Sequence, residues 1–107
     1  MVRISILYPN TPGSRFDFEY YVASHMPKSI RLLAAHPGFR GVTVERGVAG
    51  ATPGSAAAYA ALCHFSFDAL ASFIEAFTPH ASELQGDIGN YTDVAPVIQV
   101  SDILISR

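Results

Sequence analysis

Phe16-Asp17-Phe18-Glu19-Tyr20-Tyr21-Val22-Ala23-Ser24-His25-Met26-Pro27 is the stretch on which the reading of this chain turns. Phe18, Tyr21 and His25 fall at i, i+3 and i+7, so at 3.6 residues per turn they share one helix face with Val22. That face is otherwise apolar, which aims His25 inward. A buried imidazole needs a hydrogen-bond partner, a ligand or a chemical task. A core histidine satisfied by a backbone carbonyl or a tyrosine hydroxyl is the plain alternative. Asp17 is placed to cap the helix, with Ser14 as an earlier candidate. Pro27 lacks an N–H and disfavours helical geometry at Met26, so the pattern predicts one helical piece to about Ser24 and a second starting at Pro27. A break there would expose backbone groups beside the imidazole.

Outward from this helix, residues 2–8 alternate Ile4, Ile6 and Tyr8 against Arg3, Ser5 and Leu7, a strand with apolar side chains on both faces. After the helix and the stop at His36-Pro37-Gly38, residues 39–47 read as a second strand, 50–55 as a small flexible loop and 58–65 as a third strand. Leu70, Phe73, Ile74 and Phe77 form a helical stripe capped by Asp68 or Ser66, and Pro79 bends the chain beyond it. Residues 87–96 read as a polar loop and 97–105 as the last strand, with Ile98 and Val100 on one face and Gln99 and Ser101 on the other. The order strand, helix, strand, strand, helix, strand predicts an α+β fold, the ferredoxin-like βαββαβ arrangement with a four-stranded antiparallel sheet. Two helices cover one side of such a sheet only. With strands apolar on both sides, a second copy laid sheet to sheet is the expected solution, which makes a homodimer and closes a barrel.

Bulk composition narrows the classes. At 107 residues the chain is expected to form one domain, 1–107; half of it is apolar and only 15% is charged. A net charge of −2 with no basic run speaks against nucleic acid as a partner. No apolar run approaches the roughly 18 residues of a membrane span, and the N-terminus reads straight into a strand, so no membrane and a cytoplasmic location are expected. The one cysteine, Cys63, has no disulfide partner and reads as a small buried thiol.

The pieces Phe16-Asp17, Tyr20-Tyr21 and His25-Met26-Pro27, followed by Asp87-Ile88-Gly89-Asn90-Tyr91-Thr92-Asp93 and Pro96-Val97-Ile98-Gln99-Val100-Ser101, resemble the EthD family. That resemblance implies a dimeric α+β barrel. It also implies a link to bacterial catabolism, since the family takes its name from a small protein of ethyl tert-butyl ether degradation. Relatives in the wider barrel group include cofactor-free monooxygenases, polyketide cyclases, muconolactone isomerase and haem enzymes, so fold alone selects no chemistry. The resemblance marks Tyr21, His25 and Pro27 on the first helix and Asn90, Tyr91, Thr92 and Gln99 near the last strand as ligand-site positions. It implies a ligand between sheet and helices.

Among these, His25 and Tyr21 are the catalytic candidates: a neutral imidazole can take or return a proton, and a nearby phenol can donate to a developing enolate or phenolate. Tyr21 serves equally well as ordinary core packing. Gln99 and Ser101 either orient a small molecule or bond across the dimer seam. Asn90, Tyr91 and Thr92 either touch ligand or stabilise a turn, and Asp87 and Asp93 read as caps of local backbone. No metal site is expected, because His25, His36, His64 and His80 lack ligand spacing. A single-histidine haem on His25 is the one cofactor the pattern leaves open; none is expected, and no phosphate loop is present. Two functions remain open: a cofactor-free enzyme acting on a small hydrophobic or carbonyl-bearing molecule through His25, or a non-catalytic accessory or carrier protein of an ether or xenobiotic degradation pathway.

Overall fold

The computed structural model describes residues 1–107. Strands β1 (Val2–Pro9), β2 (Phe39–Arg46), β3 (Tyr59–Phe67) and β4 (Val97–Asp102) form one sheet in the order β2-β3-β1-β4, antiparallel at every junction. Helices α1 (Phe18–Tyr20) and α2 (Met26–Ala34) lead from β1 to β2, and α3 (Leu70–Phe77) and α4 (Ala81–Gly86) from β3 to β4. This is the ferredoxin-like arrangement. No helix is long and apolar enough to cross a membrane.

Register fixes what each sheet face carries, because directly opposed residues point the same way. Val42, Phe65, Ile4 and Val100 make one row on the helix side, and Val44, Cys63, Ile6 and Ile98 the next. Ile4, Ala61, Cys63, Phe65 and Phe67 are almost fully buried there, against Tyr21, Met26 and Leu33 of the first helical layer and Ala76 of the second. On the opposite side run Thr43, His64, Ser5 and Gln99, then Glu45, Leu62, Leu7 and Val97. The outer face is therefore not apolar throughout, as the alternation in β1 suggested. It holds one apolar row, Leu62, Leu7 and Val97, beside a polar one in which Ser5 Oγ and His64 Nδ1 lie 2.7 Å apart.

The helix through Pro27 is not interrupted. Asp17 caps it as expected, accepting from the Tyr20 N–H at 3.1 Å. Residues Tyr21–His25 then form a π turn closed by the Met26 N–H on the Tyr21 carbonyl, and α2 follows directly with Pro27 in its first turn. A π turn puts the bonding ladder out of step by one residue, so a proline without an N–H is accommodated there without breaking the chain direction. The extra residue also rotates the side chains. Val22 turns out to solvent, 58% exposed, instead of joining the buried face.

Two further expectations differ. The helix α3 has Ala69 at its N-cap position with no side-chain cap; Asp68 instead accepts the Ser72 hydroxyl. Its core face is Phe73, Ala76 and Phe77, with Leu70 and Ile74 exposed, because Phe73 packs edge-on against Phe67 of β3 and so sets the rotation of the helix. Residues 87–96, read as a polar loop, are exposed at Gly89, Asn90, Asp93 and Ala95 but not at their centre. A single 3-10 turn (Ile88–Asn90) leads into Tyr91 and Thr92, both essentially inaccessible.

Candidate active site

A cavity of about 420 Å³ lies between the sheet and the helices, at the small end of the roughly 300–1,000 Å³ typical of small-molecule sites. Its walls are mostly apolar, with Ile4, Ile6, Phe65, Phe73, Phe77 and Leu84 among them; Tyr8, Tyr21, His25, Ser29 and Gln85 are the polar contributors.

His25 is the best-organised of these. The π turn stacks it on Tyr21, rings 5.8 Å apart and 13° from parallel. Its Nδ1 lies 2.8 Å from Asp87 Oδ2, while Tyr20 O–H (2.6 Å) and Asn90 Nδ2–H (2.8 Å) donate to Asp87 Oδ1. Burial by itself pushes the Asp87 carboxyl up, but the bonds from Tyr20, Asn90 and His25 together outweigh it and hold the group below the usual carboxylate range. An ionised carboxylate can only accept, so Nδ1 carries the proton and, in the neutral ring, Nε2 carries the lone pair. The Tyr91 hydroxyl lies 3.4 Å from Nε2, and the hydroxyl of Tyr8 lies 2.6 Å from that of Tyr91. Desolvation raises the pKa of Tyr8, Tyr21 and Tyr91, so all three are neutral phenols. Below them the Cys63 thiol is pushed up to about 12 by burial, which leaves it an inert core group.

Tyr91 is held in place by a strap joining residues distant in sequence. Phe16 and Thr92 form a bridge, the Asp17 N–H donates to the Tyr91 carbonyl at 2.7 Å and the Thr92 hydroxyl to the Arg15 carbonyl at 2.7 Å. The Arg15 guanidinium donates to the Gly89 carbonyl at 2.9 Å, and Asp93, read as a cap of local backbone, instead accepts the distant Arg15 N–H at 2.9 Å.

The marked residues therefore separate. His25 and Tyr21 line the cavity, and Tyr91 stands directly behind His25. Asn90 faces Asp87, and Thr92 is spent on the strap. Gln99 lies on the outer sheet face, bonded to Ser101 at 3.1 Å, and does not reach the cavity, because its register partner is Ser5. Asp87, read as a local cap, is instead the partner of His25. Tyr8 and Tyr20 were missed; Tyr8 could have been found as the last inward residue of β1, at the strand end beside the strap. A haem iron on His25 would need Nε2 and would have to displace the Tyr91 contact, so the site does not fit that group.

The EthD domain matches residues 13–95. The chain belongs to the EthD family. An EthD-like protein from Ralstonia eutropha is 40% identical across 99% of this chain and 94% of its own, with a TM-score of 0.91. An ethyl tert-butyl ether degradation family protein from Bacillus halodurans shares 19% identity over 97% and 99% of the two chains (TM-score 0.64). The same fold, at 14% identity over 98% and 93% and a TM-score of 0.59, is found in SnoaB, a cofactor-independent oxygenase from Streptomyces nogalater. Among curated proteins, none matches the chain. The cavity described above is where this EthD-family chain has room for a small molecule.

Proposed function

We propose that this EthD-family protein acts as a cofactor-free homodimer that binds a small, largely apolar molecule bearing one carbonyl or hydroxyl between sheet and helices, with His25 as general acid/base. The observation that carries this is the Asp87–His25 pair at the wall of an apolar cavity. A carboxylate fixed behind Nδ1 sets the tautomer and stabilises the imidazolium that forms when Nε2 takes a proton. Tyr21 stacks the ring, Asn90 and Tyr20 hold Asp87, and Tyr91 and Thr92 belong to the strap that closes the site. Gln99 serves the seam between copies. The relatives named for ether degradation and for cofactor-independent oxygenation support a catabolic or oxidative setting, and the cytoplasm is the location this reading takes.

A carrier that only shelters a hydrophobic intermediate is the alternative role. It needs the apolar walls but has no use for a carboxylate behind the imidazole. Thermal-shift screening of small phenols, enolisable ketones and ethers separates ligands from non-ligands. One at 100 times its Kd adds about 2.7 kcal/mol, several degrees for a chain of this size. Turnover of a hit that falls at least about tenfold in His25→Ala supports the enzyme. Saturable binding without product, weakened only slightly in His25→Gln, supports the carrier.

A further inference from the structure

We infer that Tyr8 is the group that meets the ligand's acidic hydrogen, and that Tyr91 relays the proton between Tyr8 and His25; the class of ligand is a phenol or enolisable carbonyl compound. This rests on the proposed use of the cavity and names what happens inside it. Tyr8 lines the cavity, is 2% exposed, and its hydroxyl has Tyr91 as its single protein hydrogen-bond partner, which leaves it capacity for a ligand in the space the residue borders. Tyr91 does not line the cavity; its hydroxyl sits between Tyr8 and His25 Nε2. With Asp87 holding the proton on Nδ1, the neutral ring accepts from Tyr91, Tyr91 accepts from Tyr8, and the Tyr8 oxygen is left with lone pairs toward the ligand. When His25 is protonated the same chain runs in reverse and Tyr8 presents its O–H. The cavity end of the chain is thus an acceptor or a donor according to the charge on a ring that need not touch the ligand.

The step balances as a proton transfer alone. The ligand's O–H or C–H bond breaks and its electron pair stays behind as phenolate or enolate. Its proton passes to Tyr8, the Tyr8 proton to Tyr91 and the Tyr91 proton to Nε2. Both phenols end neutral, and the positive ring rests against Asp87. The burial of Tyr8 and Tyr91 disfavours either tyrosinate, which favours moving the three protons together.

4-Nitrophenol is a suitable probe, since its visible absorbance reports ionisation and equilibrium dialysis reports binding. The wild-type protein is expected to raise the ionisation constant of the bound probe at least about tenfold, one pKa unit. Tyr8→Phe loses its own contact with the probe and is expected to bind it more weakly but measurably, while Tyr91→Phe and His25→Gln lose affinity only for the ionised probe; in all three the bound probe returns to its ionisation in water, and Tyr59→Phe keeps the shift. Retention of the shift in either Tyr8→Phe or Tyr91→Phe, with its loss in His25→Gln, would overturn the relay and leave His25 acting directly. Loss of binding of the un-ionised probe in Tyr91→Phe at unchanged melting temperature would make that phenol an anchor and likewise overturn it. A wild-type protein that does not bind the probe, or binds it without a His25-dependent shift, sinks the relay and the proposed function together.

Discussion

At the scale of single residues, Asp87 decides what His25 can do. Three donors converge on its carboxylate, so the charged form is favoured in the folded chain and its pKa is depressed. A depressed carboxyl stabilises the fold above its unfolded pKa of about 3.9, and that stabilisation is lost as the pH falls through the lower folded value. Asp87→Asn removes the charge and offers an amide N–H that can donate to Nδ1, which would move the ring proton to Nε2 and take away the lone pair. Urea unfolding is expected to show the variant about 1–2 kcal/mol less stable at pH 7, the scale of bonds to a charged group. The gap should narrow below about pH 4 as the wild-type carboxylate is protonated. A gap of equal size at pH 7 and pH 3 would mean that the charge contributes nothing.

Among the elements, the π turn is the device that puts His25 and Tyr21 together. Val22 and Ala23, within it, are exposed, so the turn is not held by their burial; what it gains is the stack of the two rings over the cavity. A π turn behaves as an α-helix with one residue inserted. Deleting Ala23 is therefore expected to restore α-helical bonding between Phe18 and Ala34 and to keep the fold, with the melting temperature within a few degrees of wild type. It should also change the Tyr21–His25 spacing from four to three and abolish His25-dependent ionisation of bound 4-nitrophenol. A variant that keeps that ionisation would show the turn to be incidental. The turn was not legible in the sequence, because Tyr21, His25 and Pro27 suit two helical pieces as well as one widened helix. The strands were legible, since β3 alternates half-buried and buried residues from Ala60 to Phe67 and β1 pairs with it in continuous register up to Tyr8. Asp87 was not legible as a partner of His25. The two are 62 residues apart, and nothing local distinguishes a carboxylate that caps a turn from one that reaches across to another helix. Gln99 misled for a related reason: alternation shows that it opposes Ile98, but not which side of the sheet the helices take.

For the whole molecule, the uneven cover of the sheet bears on assembly. The helices bury the inner face of β1 and β3 but cover β4 only partly, so that Ile98 and Val100 are 56% and 44% exposed on the helix side and Val97 is 51% exposed on the other. Beyond β4, Leu104 and Ile105 are exposed as well. An edge strand apolar on both faces is a liability in water unless something covers it. The outer face suits a second copy for a further reason: its central polar groups are already partnered, Ser5 with His64 and Gln99 with Ser101, so covering them leaves fewer bonds to water to be replaced. Beside them the row Leu62, Leu7 and Val97 supplies the apolar contact. The proposed two-fold pairing places Val97 of each copy in that seam, where Val97→Lys would bring in two like charges and no compensating acid, since Glu45 lies at the far end of the row. Sedimentation equilibrium at micromolar concentration is expected to give twice 11.5 kDa for the wild-type chain and 11.5 kDa for Val97→Lys, still folded by circular dichroism. A wild-type chain that sediments as a folded 11.5 kDa species would remove the sheet-to-sheet pairing while leaving the cavity of each subunit, whose named walls all come from one chain, in place.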